Sequence, residues 1–282
     1  DLPFFFFFTP SVVVNSDAGN GVGYTGIRIR GTDAARINVT LNGIPYNDAE
    51  SQGTFFVDLP DFSSSINSIQ VQRGIGTSSN GAGAFGATIN LSTNELNKIK
   101  YISTNNSYGS FNTWKNNIQF GSGLLVKNFT IDGRVSRISS DGYIDRAKSN
   151  LRSFYLSTAF VTKKNSLRFN IFSGKEKTYQ AWNGVAANLL QTDRTHNPSG
   201  TEKPGAPYHN EVDDYTQTHY QLFYNHKFNK YWKGNVAVFL TRGKGYYEQY
   251  KANKKLADYN LPDYLDGNDT IKRTDIVRRL WL

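Results

Sequence analysis

The stretch Thr25-Gly-Ile-Arg-Ile-Arg-Gly-Thr-Asp-Ala-Ala-Arg-Ile-Asn-Val-Thr-Leu-Asn-Gly-Ile-Pro-Tyr-Asn47 decides how this chain folds. Ile27 and Ile29 alternate with Arg28 and Arg30, and Ile37, Val39 and Leu41 alternate with Asn38 and Thr40. Alternation at period two marks half-buried strands. Asn42-Gly43 follows at once, and a type I′ hairpin turn needs positive φ at both central residues, which Asn and Gly tolerate. On either side, short strands are expected at 12–14, 66–73 and 88–91, with a helical turn at 62–66 capped by Asp61 or Ser63. The five phenylalanines at 4–8 read as a buried strand.

Composition narrows the class. With 282 residues the chain can hold one large or two modest domains and a sizeable core. It has no Cys, which excludes disulfides, thiolate metal sites and Cys nucleophiles. It has no Met either, so Asp1 is not expected to be a translation start and the piece is processed or cut from something longer. The net charge of +9 favours an anionic partner only weakly, and with no basic run no nucleic acid is expected. No apolar run approaches the roughly 18–20 residues of a membrane-crossing helix. The 17 Tyr, 19 Phe, 4 Trp and 25 Gly in an otherwise polar chain fit a β-rich protein, an outer-membrane barrel in particular.

The texture changes near Asn94, giving a first part at 1–94 and a second at 95–282. The second part alternates at period two. Trp114, Ile118 and Phe120 oppose Lys115, Asn117 and Gln119; Phe129, Ile131 and Val135 oppose Thr130, Asp132, Arg134 and Ser136; Leu167, Phe169 and Ile171 oppose Arg168 and Asn170. Similar segments follow around Phe154, Tyr220 and Val236, for about seven or eight strands. From the second connection onward, tight links (121–128, 162–166, 228–232) alternate with longer ones (141–150, 175–217, 245–270). Short turns on one side and long loops on the other is the outer-membrane arrangement, and Trp114, Tyr143, Trp232 and Tyr246-Tyr247 suit interfacial girdles. On that reading Phe129, Ile131, Leu167, Phe169 and Ile171 face lipid, Asp132, Arg134, Arg168 and Asn170 face the lumen, and 175–217 faces the exterior. A soluble β-sandwich would share the alternation, with its apolar face turned inward.

Enzymatic chemistry has little support. Gly21-Val-Gly23-Tyr-Thr-Gly26 and Gly81-Ala-Gly83-Ala-Phe-Gly86 both match G-x-G-x-x-G, but strand-like sequence follows each where a phosphate-binding helix would have to start. His196 and His209 share a loop with Asp193, Glu211, Asp213 and Asp214 in no zinc-like spacing, and His219 and His226, at i and i+7, point to opposite faces of one strand. No catalytic, metal-binding or cofactor-binding residue is assigned, and no enzyme is expected.

The opening stretch resembles the plug of TonB-dependent outer-membrane receptors. That family has an Ile-Arg-Gly element, an apolar strand and then Asp-Gly-Val/Ile-Pro; here Asn42 stands in the Asp position. A second plug signature is similar too: Ile69-Gln-Val-Gln-Arg-Gly-Ile-Gly, then Asn80-Gly-Ala-Gly-Ala-Phe-Gly-Ala-Thr-Ile-Asn-Leu. Leu240-Thr-Arg-Gly-Lys-Gly-Tyr-Tyr-Glu-Gln-Tyr-Lys resembles barrel sequence of Bacteroidota-type members.

The resemblance implies a mainly β fold, with a small mixed α/β plug followed by part of a 22-stranded antiparallel transmembrane barrel. A plug of about 95 residues does not fit inside an eight-stranded barrel, whereas a 22-stranded one has a plugged lumen. The chain is then the plug without its N-terminal part plus roughly the first third of the barrel. The resemblance also implies a scarce, bulky nutrient as ligand, a siderophore-iron or similar chelate, and TonB of the inner membrane as the energising partner. Membrane lipid surrounds the barrel. A glycan importer paired with a surface lipoprotein is the alternative within the family, and a soluble β-sandwich binding module the alternative outside it. In this family the segments at 15–24 and 47–54 are apical, which makes Asn20, Tyr24, Asp48 and Gln52 candidate ligand contacts. A plug in a polar lumen needs polar contacts to the wall, a role that suits Arg28, Arg30, Arg36 and Arg73.

Overall fold

A computed structural model describes residues 2–75, 84–126 and 128–282. Gly81 and Gly83 of the second glycine pattern, with Gly76 and Asn80 of the second plug signature, lie outside the described residues. The first part builds two small sheets. Strands β1 (Val12–Ser16) and β2 (Thr25–Ile29) pair antiparallel. Strands β3 (Ile37–Leu41), β4 (Ile44–Pro45), β5 (Ser68–Arg73) and β6 (Ala87–Ser92) form a mixed sheet in the order β4-β3-β6-β5, with β3 parallel to β6. Asn42 (φ 58°) and Gly43 (φ 81°) make the β3–β4 turn, both positive as a type I′ turn demands. The alternating Ile27, Ile29, Ile37, Val39, Leu41, Ile89 and Leu91 are all buried in one core with Phe56, Leu59 and Phe62. The helical parts are single 3₁₀ turns, at Ala34–Arg36, Phe56–Asp58 and Phe62–Ser65.

The phenylalanine run is not a buried strand. Leu2–Phe6 is a 3₁₀ helix that buries Leu2, Pro3 and Phe6, and Phe8 is left 92% exposed. Two physical reasons apply: Pro3 fixes a helix-compatible φ, and a three-residue repeat turns Pro3 and Phe6 to the same side. The turn at Phe62–Ser65 forms as expected, but Asp61 makes no capping bond there. The Gly21–Gly26 pattern runs into β2 rather than a helix.

The second part is one eight-stranded antiparallel sheet of sequence neighbours. Its strands are β7 (Lys100–Gly109), β8 (Thr113–Ser122), β9 (Phe129–Ser140), β10 (Ser149–Val161), β11 (Asn165–Tyr179), β12 (Val212–Lys227) and β13 (Lys233–Lys255). The small hairpin of β14 (Tyr264–Asp266) and β15 (Asp269–Ile271) intervenes before the last strand, β16 (Arg273–Trp281). Thr130, Asp132, Arg134, Ser136, Ser157, Arg168, Asn170 and Gln221 are buried, whereas Val135, Phe154, Phe160, Leu167, Phe169, Leu222 and Val236 are exposed. This is the reverse of a soluble sandwich, and among the described strands no second sheet covers the apolar face. A polar face turned inward and an apolar face turned outward is the pattern of a barrel in lipid and not of a soluble sandwich. No helix among the described residues is long and apolar enough to cross a membrane, a fact that leaves strands untouched.

The tight connections 123–128, 162–164 and 228–232 share one end of the sheet, and 141–148, 180–211 and 256–272 the other. The strands reach further than alternation alone suggested. Residues 245–255 continue β13, with a bulge against β16 between Lys251 and Lys254. A crossing takes roughly 9–11 residues, so the 23 of β13 project well past the bilayer. Tyr246 and Tyr247 therefore lie within β13, not at a strand end. Tyr143 sits in the 141–148 connection, 5.7 Å from the Phe111 ring, while Trp114 keeps its place at the start of β8 and Trp232 in a turn.

Candidate functional site

The small sheets pack against the inward face of the wall, and the polar residues of that face are spent on the contact. Three clusters hold it. The first centres on Asp61, which is in the left-handed region at φ 52°. Its carboxylate lies 2.5 Å from Lys115 Nζ and 3.3 Å from Arg134 Nη1. It also accepts hydrogen bonds from Asn117 (2.8 Å), Ser136 (2.7 Å) and Ser64 (2.6 Å). Burial pushes this carboxyl up, but the bonds from Lys115, Ser64, Asn117 and Ser136 outweigh it and hold it below the usual range. Arg134 further donates to Ser65 Oγ at 2.8 Å, and Ser153 donates to the Pro60 carbonyl at 2.6 Å.

The second cluster reads the Asn42 turn. Asn42 Nδ2 donates to Gln221 Oε1 at 2.9 Å and to Thr93 Oγ1 at 3.1 Å. Asn170 donates to Asn94 Oδ1 at 3.0 Å, Arg168 to the Glu95 carbonyl at 3.3 Å, and Asn97 to Asp132 at 2.8 Å. An aspartate at position 42 could not donate to Gln221, so the amide is matched to its partner in the wall. Beside these residues a polar cavity of about 320 Å³ is lined by Ser65, Asn67, Glu95, Asp132, Arg134 and Arg168. Between the two clusters, Phe62 packs on Phe172 (5.0 Å) and Tyr155 (6.4 Å), and Tyr46 on His219 (5.5 Å).

The third cluster is acidic. Tyr24 Oη is 3.0 Å from Glu176 Oε1 and 2.7 Å from Asp213 Oδ2, next to Asp58. Tyr24 also meets Trp182 edge-on, and Trp182 meets Tyr247 in the same way.

The candidate residues separate on this geometry. Asn20 donates to Ser140 of β9 at 2.6 Å, so it and Tyr24 are engaged by the wall. Asp48 and Gln52 stand in an exposed loop. Asp48 accepts from the Ser51 and Glu50 amides, bonds that hold its carboxyl down, and Gln52 donates to the Ala49 carbonyl. The four plug arginines do not bond to the wall among the described residues. Arg73 donates to the Pro10 carbonyl at 3.0 Å, Arg36 lies over the Phe85 ring, and Arg28 and Arg30 are exposed. The joining charge runs the other way, with an acid on the small domain and bases on the wall. Asp61 was legible only as a cap, and Asp58, Glu176 and Asp213 carried no motif. Among the described residues no three His, Asp or Glu side chains are placed to hold a metal ion.

Residues 6–88 match the family model described as TonB-dependent Receptor Plug Domain. This chain carries a TonB-dependent receptor plug domain. Known structures of such receptors share its fold. The Pseudomonas aeruginosa receptor FpvA, bound to heterologous pyoverdines, superposes with a TM-score of 0.64 at 14% identity over 99% of this chain and 35% of its own. The alcaligin receptor FauA from Bordetella pertussis gives 0.63 at 15% identity, over 89% and 38%. The ferric-catecholate import receptor Fiu from E. coli K12 gives 0.62 at 18%, over 90% and 39%. The chain thus spans well under half the length of the receptors it matches. Comparison with curated protein sequences gave no match. The small domain is the plug, and the eight-stranded sheet has the fold of the outer-membrane barrel wall in these receptors.

Proposed function

We propose that this chain is the plug and the first barrel strands of an outer-membrane importer, which binds a scarce, bulky nutrient outside and passes it to the periplasm with energy supplied through TonB. A siderophore-iron or similar chelate is the favoured cargo, in keeping with the pyoverdine, alcaligin and ferric-catecholate receptors it resembles in fold. The observation that carries the reading is the polar seat of the plug. Asp61, Asn42 and Tyr24 are each satisfied by wall side chains. A plug held by hydrogen bonds can exchange them for water and move without exposing a large apolar core. Ligand recognition falls to the exposed loop bearing Asp48 and Gln52, together with the long connections 141–148 and 180–211. Arg28, Arg30, Arg36 and Arg73 are left for barrel wall beyond these eight strands. Domain limits of 1–94 for the plug and 95–282 for the wall, with 22 strands in the closed barrel, complete the proposal. The test is growth of a deletion strain on single iron-chelate, cobalamin and glycan sources. Loss of growth on one iron chelate, restored by the gene, supports the reading; unchanged growth on every iron source with loss on a glycan replaces it with glycan import.

A further inference from the structure

Three carboxyls and one phenol meet where the Phe56–Asp58 turn of the plug packs against β11 and β12. Glu176 and Asp213 are buried on the inward face, and Asp58 is buried opposite them. The outward neighbours on the same strands are Lys175, Lys177 and Asp214, so this level lies past the apolar band, toward the long connections. The proton count is decisive. Tyr24 has one hydroxyl proton but lies within hydrogen-bond distance of two carboxylate oxygens, Glu176 Oε1 at 3.0 Å and Asp213 Oδ2 at 2.7 Å. It can donate to only one of them. The other oxygen needs a proton of its own to face the phenol without repulsion. Among the described residues the only other donor to Glu176 is Thr178, which is spent on Oε2, and Asp213 Oδ1 is buried without a partner.

Among the described residues no cation faces this group. Tyr46 and Tyr24 approach from the plug, Tyr215 from β12 and Tyr247 from β13; Leu151 of β10 stands opposite Glu176. Lys175 and Lys177, which flank Glu176 in sequence, are on the outward face, and Lys175 is paired with Asp214 at 3.2 Å. Burial and the facing Asp213 charge push the Asp58 carboxyl up to about 8.

We propose that this cluster is a proton-loaded latch: the plug seats against β11 and β12 while a carboxyl proton is held between Tyr24, Glu176 and Asp213, and its loss to water at higher pH loosens the seat. The latch is a property of the plug and wall, whatever cargo the receptor carries.

The experiment is native-state hydrogen exchange on the receptor in detergent micelles. It follows β2 and β3 amides, corrected for intrinsic exchange at each pH, with β9–β11 amides as reference. Protection of the plug strands is expected to fall between about pH 5 and 8, approaching tenfold per pH unit for one proton. In Glu176→Gln the amide donates permanently to Tyr24, so protection at pH 8 should exceed that of the wild type by at least tenfold. Asp213→Asn should behave likewise. Plug protection that does not change with pH, a Glu176→Gln slope equal to the wild type, or failure of both neutral variants to fold at any pH overturns the proposal.

Discussion

Arg134 of the wall places Nη1 3.3 Å from Oδ2 of Asp61 in the plug, and both side chains are closed to solvent, at 2% and 0% exposure. Removing one partner of a buried pair strands the other charge, at a cost of about 3–5 kcal/mol. Asp61→Asn should therefore weaken plug docking by that order in urea titrations that follow plug and barrel separately, with the barrel midpoint unchanged. The pH dependence has a definite sign. The Asp61 carboxyl is held below its ordinary value of 3.8. Its stabilisation is thus present above that value and is lost as pH falls below it. Acid loosens this contact, whereas the Asp58–Tyr24 joint loosens with alkali.

Gly174 of β11 lies tight against the plug backbone. A Cβ there would collide with the Asp58 carbonyl oxygen and lie 2.6 Å from Pro60 Cδ. Because the obstacle is plug backbone, Gly174→Ala should lift the 58–61 segment off the wall at a cost of about 1–3 kcal/mol. Limited proteolysis of the purified receptor checks this: plug fragments should appear at protease concentrations that leave the wild type intact.

The alternation of Phe169 with Arg168 and Asn170, and the Asn42-Gly43 turn, were legible because period two and positive φ are local properties. So was the order of short and long connections. The plug–barrel joint was not. Asp61 and Arg134 are 73 positions apart, and nothing local distinguishes a carboxylate that caps a turn from one that leaves it for a partner strand. Arg28, Arg30, Arg36 and Arg73 looked like the joining charges because they lie on plug strands, yet the bases that reach the Asp61 carboxylate sit on β8 and β9. The far ends of β11, β12 and β13 also escaped, because a strand that leaves the bilayer loses its apolar face while keeping its paired backbone.

Phe169 lies on the outward face of β11, and its neighbours Arg168 and Asn170 are buried. Phe169→Arg should cost about 2–4 kcal/mol at the bilayer midplane. Asn170→Ala, on the inner face, should instead disturb the plug contact through Asn94. Folding into lipid vesicles separates the two, since only the first should lower the yield of inserted barrel.

Connection lengths set the orientation. The 180–211 connection should be cleaved by protease added to intact cells, and 228–232 only after the outer membrane is opened. Cleavage in the reverse order would invert the topology and move the Tyr24 joint to the periplasmic side.

Tyr24 and Gln52 share the plug apex in sequence logic but do different work in the structure. The Tyr24 hydroxyl is consumed by Glu176 and Asp213, whereas Gln52 holds an exposed loop at φ 59° through the Ala49 carbonyl. Gln52→Ala should raise the half-saturating cargo concentration for uptake by at least threefold, about 0.7 kcal/mol, without altering plug protection in hydrogen exchange. Tyr24→Phe should do the opposite: it removes the bridging hydroxyl between two acids, changes plug protection and its pH profile, and leaves affinity within threefold. Uptake measured alongside exchange on the same preparations decides between them. An unchanged affinity in Gln52→Ala would shift recognition from the plug to the connections at 141–148 and 180–211, and a Tyr24→Phe receptor that loses affinity while its plug stays as protected as the wild type would return Tyr24 to the ligand.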